Sequence, residues 1–131
     1  MKLLLDTHVW LWSLLQPDNL TARVREALLD ADNELWLSPI SVCEALVLHE
    51  RGRIELADDP DAWVQRALLA APMREAPITH EIARRSRRLP LDHRDPADRF
   101  LAATAVVLEL VLVTADRRLI GHPSFRTLAN R

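Results

Sequence analysis

The chain is predicted to fold as an α/β domain around a central, mainly parallel sheet. Three observations predict it. Short apolar, strand-like runs alternate with helical stretches, and the connections between them are brief. Prolines and capping residues mark the helix ends at regular intervals. Four acids, Asp6, Glu44, Asp98 and Asp116, stand at strand ends or in the first turns of helices. In a parallel sheet both kinds of position gather along one edge, where ligands bind.

Each element follows from local residues. Lys2–Asp6 reads as a compact apolar strand, and Thr7–Leu15 as the helix after it, closed by Pro17. Thr21–Asp30 is a second helix, with Val24, Leu28 and Leu29 as its apolar positions. Glu34–Leu37 is a short strand. Ser38-Pro39 then has the form of an N-cap with proline at the first helical position. That helix runs to about Arg51, where Gly52 stops it. Asp58-Asp59-Pro60 opens a helix over Asp61–Ala71, ended by Pro72, and Arg74–Ala76 is a short strand. Thr79 caps a helix through Arg88, ended by Pro90. Asp95-Pro96 opens another, with Phe100, Leu101, Val107 and Leu108 giving it a buried character. Leu110–Thr114 is a strong buried strand, Asp116–Ile120 a helical turn, and Phe125–Leu128 a last edge strand.

Composition bounds the class. At 131 residues with 49% hydrophobic and 27% charged side chains, the chain suits one globular domain, residues 1–131. No internal repeat and no Gly- or Ser-rich linker divides it. The lone Cys43 rules out an internal disulfide framework and suits a reducing compartment. The Leu3–Leu5 run is too short for a signal peptide, and no apolar span is long enough for a membrane helix. A cytoplasmic protein without membrane contact is expected. The net charge of −2 hides an asymmetry. Of the 17 basic and 19 acidic side chains, residues 1–80 hold seven and thirteen, and residues 81–131 hold ten and six. The basic half is either a phosphate-contacting surface or, for Arg84–Arg88, a solvated helix face.

Each acid has a purely structural reading. Asp6 is placed to N-cap the first helix. Glu44 stands three residues after Ser41, a capping-box spacing; if the helix starts at Ser38-Pro39, Glu44 falls in its second turn and needs another explanation. Asp95 is a good N-cap, and Asp98, one turn on, favours the positive end of the helix dipole. Asp116 suits a turn. Together the four make more sense around a cation. Clustered carboxylates raise one another's pKa, and an all-oxygen site selects Mg²⁺ or Mn²⁺ over zinc. The histidines show no metal-ligand spacing, and Cys43 has no partner. His8, beside the Asp6–Thr7 turn, is placed either to touch substrate or to pack; His93, near Asp95, invites the same two readings. Of the four tryptophans, Trp10 and Trp12 lie two apart and cannot both face the core of one helix.

The segments LLLDTHVWLW, ELWLSPISVCEA, HRDPADRFLAATA and LVLVTADRRL, taken in order, resemble the successive motifs of PIN-domain proteins, and more narrowly VapC-type toxins of bacterial toxin–antitoxin pairs. The resemblance spans essentially the whole chain. It implies a PIN-like three-layer α/β/α sandwich. It also implies metal-dependent endoribonuclease activity, with Mg²⁺ or Mn²⁺ as cofactor and 5′-phosphate and 3′-hydroxyl products. Asp6, Glu44, Asp98 and Asp116 match the acidic quartet as catalytic and metal-holding residues. Thr114 matches the hydroxyl residue before the last acid, and Thr7 the residue after the first. Asp95 is left as a helix cap and supporting acid. Candidate substrate contacts are Thr7, His8, Thr114 and the arginines Arg94, Arg99 and Arg117, Arg99 having pairing with Asp95 as its structural alternative. The implied partners are RNA, a cognate VapB-type antitoxin whose segment docks near Trp10, Trp12 and the second helix, and a second copy in a homodimer.

Three other readings compete with this one. A phosphoacceptor receiver needs a lysine near its last strands, and Lys2 is the only lysine. A dehalogenase-type phosphatase needs a second Asp two residues after the first, where His8 stands. A non-catalytic PIN-like module that binds RNA or protein is the remaining alternative.

Overall fold

The computed structural model describes every residue except residue 93. Five strands, β1 (Lys2–Leu5), β2 (Glu34–Leu37), β3 (Arg74–Glu75), β4 (Val111–Thr114) and β5 (Thr127–Ala129), form one sheet in the order β3-β2-β1-β4-β5. Every pairing is parallel. Six helices accompany them: α1 (Thr7–Leu15), α2 (Ala22–Leu29), α3 (Pro39–Glu50), α4 (Pro60–Ala70), α5 (His80–Arg88) and α6 (Pro96–Val107). A short 3₁₀ turn at Pro17–Asn19 links α1 to α2.

Alternation along the strands makes three layers. Leu3 and Leu5 of β1 and Val111 and Val113 of β4 point to one face, where Val9, Trp10, Val24 and Val64 of α1, α2 and α4 cover them. Leu4 and Leu112 point to the other face, against Leu101, Ala102 and Ala105 of α6. The small residues of α6 let its backbone lie close to the sheet, and α5 packs along its outer side. A strand covered on both faces reads as a continuous apolar run, as Leu3–Leu5 and Leu110–Val113 do.

The caps hold where sequence placed them. Asp6, Thr21, Ser38, Asp59, Thr79 and Asp95 each accept a backbone N–H from their helix. Gly52, at φ 69°, ends the α3 turn and donates to the carbonyl of His49 at 3.0 Å. Leu119 and Ile120 both donate to the Asp116 carbonyl, which makes the turn expected there.

Two expectations need correction. The last strand is Thr127–Ala129 rather than Phe125–Leu128. Phe125 instead buries itself beneath the stacked ring of His122, and pairing begins only where Thr127 meets Leu112. Leu29 is not part of the apolar face of α2; it is 85% exposed while Val24 is fully buried. Position 29 lies five residues after Val24, about 140° around the helix. Among the described residues no helix is long and apolar enough to cross a membrane.

Leu112 is fully buried at the centre of the sheet. Leu112→Ala is expected to lower unfolding free energy by about 2–5 kcal/mol, whereas Leu29→Ala changes it by less than about 0.5 kcal/mol. Urea midpoints with unchanged slopes check both.

Candidate active site

The strand order creates a crevice. β1 lies between β2 and β4, so the chain leaves the carboxyl end of β1 for α1 beside the carboxyl end of β4. Beyond those ends lies a cleft of about 370 Å³. Asp6, Glu44, Asp98 and Asp116 all line it, from β1, α3, α6 and the turn after β4. Thr7, His8 and Asp95 line it too, with Trp12, Ala115 and Arg118.

Asp6 anchors the group. Its backbone N–H continues the sheet ladder to the Val113 carbonyl at 3.0 Å, and its Oδ1 accepts the N–H of Val9 at 2.8 Å. The carboxylate is only 8% exposed. Burial pushes its pKa above the ordinary aspartate range; the hydroxyl of Thr114 and the Val9 amide oppose this, and the nearby Asp116 adds to it. Thr114 stands beside two acids. Its hydroxyl is near enough to the Asp6 side chain to lower its pKa, and its Oγ1 accepts the backbone N–H of Asp116 at 3.0 Å.

Glu44 is half-buried in the second turn of α3, so the helix start at Ser38-Pro39 leaves its carboxylate free for the cleft instead of a capping box. The Thr7 hydroxyl hydrogen-bonds to Glu44 Oε1 and lies 3.0 Å from the hydroxyl of the fully buried Ser41. Burial raises the Glu44 pKa, opposed by Thr7, with Asp95 and Asp6 adding to the rise. Asp95 caps α6 by accepting the N–H of Ala97 at 3.0 Å.

Asp116 is gripped by Arg118. Oδ1 accepts the Arg118 backbone N–H at 2.9 Å and its Nε at 3.1 Å, and Oδ2 accepts Nη2 at 2.8 Å. The same Nη2 lies 3.6 Å from Oδ2 of Asp98. The donor set is carboxylate oxygen throughout, the chemistry that hard divalent cations take. A cation would also relieve the charge buried at Asp6. Nevertheless, among the described residues no three His, Cys, Asp or Glu side chains are grouped to hold a metal ion as they stand.

The arginine expectations fare differently. Arg99 is buried, and its guanidinium donates to the carbonyls of Ser86, Leu89 and Leu91 at 2.8, 2.8 and 3.0 Å. It therefore serves the carbonyl end of α5 and not the substrate. Its helix position lies about 100° from that of Asp98, which turns it away from the cleft. Arg94 and Arg117 are exposed but do not line the cleft. His93 lies outside the described residues. The residues not foreseen are Ser41, behind Thr7, and Arg118. The signal for Arg118 was its place two residues after Asp116, where an Asx turn folds the chain back on its own carboxylate.

His8 and Trp12 also line a neighbouring hollow of about 480 Å³ with Leu11, Leu15, Leu48 and Ile54. Trp10 takes no part in it: it is buried edge-on to Trp63. The hollow that holds Trp12 lies between α1 and the end of α3, and a smaller one of about 160 Å³ lies along α2, lined by Leu20, Leu28 and Leu29.

A family model described as PIN domain matches residues 3–123. Ribonuclease VapC22 of Mycobacterium tuberculosis is 40% identical over 120 residues, which cover 91% of this chain and 90% of that protein. Among solved structures, DNA-bound VapBC from Salmonella typhimurium matches with a TM-score of 0.73 at 19% identity, over 98% of each chain. VapBC2 from Rickettsia felis, bound to a DNA fragment from its promoter, matches at 0.72 with 15% identity, again over 98% of each chain. At these identities the structural likeness is one of fold.

Two outcomes are expected. The folded-state pKa of Asp6 lies above its unfolded value, so its ionisation costs stability as pH rises through the folded pKa, and costs nothing below the unfolded one. Asp6→Asn should melt higher than the parent at pH 7, with the gap closing as pH falls. An equal or lower melting temperature at pH 7 would overturn this. Arg99→Ala should lose about 2–4 kcal/mol of stability in denaturant titration, because it removes a charged donor from the buried Ser86 carbonyl and from the half-buried Leu89 and Leu91 carbonyls.

Proposed function

This chain belongs to the PIN-domain family, in its VapC-type ribonuclease branch, and from that premise we propose that it is a metal-dependent endoribonuclease, the toxin of a toxin–antitoxin pair. The observation that carries the proposal is the convergence of Asp6, Glu44, Asp98 and Asp116 on one cleft from four separate elements. Helix capping explains Asp6 and Asp95 but leaves Glu44 and Asp98 without a structural task of that kind.

In this reading Asp6, Asp98 and Asp116 hold one or two Mg²⁺ or Mn²⁺ ions, with Glu44 bound directly or through water. When bound, such an ion supplies charge neutralisation at the phosphate and acidifies a water for attack on phosphorus. The protein residues do the rest. The Thr114 hydroxyl holds the Asp116 backbone N–H and lies beside the Asp6 carboxylate. Thr7, backed by Ser41, fixes the Glu44 carboxylate. Glu44, whose pKa burial raises, holds a proton more readily than an exposed glutamate. His8 stands exposed at the rim, its ring 5.7 Å from that of Trp12, where an RNA strand or a docked peptide would pass. Hydrolysis by this route leaves a 5′-phosphate and a 3′-hydroxyl.

The partners follow from the same premise. The hollow between α1 and the end of α3 shares His8 and Trp12 with the acidic cleft, so a VapB-type antitoxin segment laid in it would also cover the acids. A homodimer in the cytoplasm is the expected state. One observation favours the non-catalytic binding module: among the described residues no three acids stand close enough together to hold a metal ion as they are.

The deciding experiment incubates antitoxin-free protein with cellular RNA, with Mg²⁺ or Mn²⁺ and with EDTA. Discrete fragments bearing 5′-phosphates are expected. They should disappear with chelator and fall at least about 100-fold in Asp6→Asn and Asp98→Asn, the scale of losing a group that stabilises transition-state charge. Folded protein that binds RNA without cutting it at any metal concentration would establish the binding module instead.

A further inference from the structure

Arg118 belongs to the acidic cleft, yet no helix or sheet packing needs it there. Its side chain is 58% exposed. It curls over only two residues to place a fork on Asp116, with Nε on Oδ1 and Nη2 on Oδ2. Its backbone N–H takes Oδ1 as well, so both oxygens of Asp116 are engaged by one residue. Nη2 extends toward Oδ2 of Asp98, at 3.6 Å. One positive charge thus bridges two carboxylates that come from different elements, the position that a divalent ion between them would take.

We propose that Arg118 is a tethered counter-cation of the acidic site, which a divalent ion must displace from Asp116 and Asp98 before those two acids can bind it. The inference rests on the metal reading of the preceding subsection. Three features support an exchange rather than a permanent pair. The guanidinium is exposed on its outer side, so it can leave without disturbing the core. Its tether is a surface turn, so no helix has to move. The guanidinium fork takes lone pairs on both Asp116 oxygens, and its positive charge opposes a second cation brought to the same carboxylate. Metal uptake and guanidinium release are then one event, and Arg118 sets the concentration at which the site fills.

Calorimetric titration with Mn²⁺ tests this on the parent, Arg118→Gln and Arg117→Gln, with circular dichroism to confirm folding. Arg118→Gln should bind Mn²⁺ roughly tenfold more tightly, as removal of a unit charge a few ångströms from the ion implies. Arg117→Gln, which loses the same charge one residue away but does not touch the acids, should stay near the parent. In a ¹H–¹⁵N spectrum of the parent, the Arg118 Nε–H signal should shift on Mg²⁺ addition and return with EDTA. Equal or weaker Mn²⁺ binding by Arg118→Gln would overturn the exchange and make Arg118 an orienting partner of Asp116. An equal gain in Arg117→Gln would reduce the effect to net charge and overturn it as well. If the parent binds no divalent ion at all, the metal reading falls first and this inference falls with it.

Discussion

A carboxylate buried at the end of the central strand constrains the rest of this molecule. Asp6 is nearly closed off from water, yet its oxygens must face a cleft and not the core. Its surroundings follow from that requirement. The backbone of Asp6 stays in the sheet through Val113, while its side chain caps α1. The Thr114 hydroxyl reaches it because β1 and β4 run side by side in parallel, with Leu5 opposite Val113. A strand order that parted β1 from β4 would separate Asp6 from Thr114 and Asp116. The topology is therefore a condition of the site as well as a way to bury leucines.

Hydroxyl groups do the finer positioning. Thr114 stands beside two acids, and Thr7 with Ser41 holds a third. These side chains are buried, short and uncharged. They lose little rotamer freedom on folding and orient carboxylates without neutralising them. A lysine or arginine in the same places would hold the acids more tightly but would cancel the charge that the site presents. The one guanidinium described in the cleft instead arrives from the surface on an exposed side chain, not from the buried floor.

Much of this was legible in the sequence. Leu3–Leu5 and Leu110–Val113 are apolar without alternation, which marks strands buried on both faces, and an acid follows each run within a few residues. The capping residues gave the helix starts to within a residue. What escaped depended on directions that a linear reading does not fix. Arg94, Arg99 and Arg117 are close to the acids in sequence, but Arg99 turns inward to carbonyls of the α5 end. Arg118 escaped because its approach depends on the turn at Asp116. Ser41 was read as a capping hydroxyl because the alternative, a contact with Thr7 34 residues away, exists only after the helix has docked. Phe125 carried a strand-like pattern, but it was the ring stack with His122 that fixed where the final strand could start.

The charge balance of the cleft is the strongest physical argument for a cation on the proposed reading. Asp6, Glu44, Asp95, Asp98 and Asp116 line it, against the guanidinium of Arg118 and the imidazole of His8. An RNA strand brings further negative charge to every phosphate. Two such surfaces repel at contact distances, and screening by salt is weak where the carboxylates are buried. The exposed arginines of α5, Arg84, Arg85, Arg87 and Arg88, belong to another face and can attract a polyanion to the molecule without admitting it to the acids. Entry of a phosphate needs positive charge at the carboxylates themselves. A guanidinium fork already spent on Asp116 supplies too little. A divalent ion supplies more in a smaller volume, and it accepts the phosphate oxygen that the carboxylates would reject. On these grounds the cation is a condition for substrate to enter, before it is an aid to the chemistry.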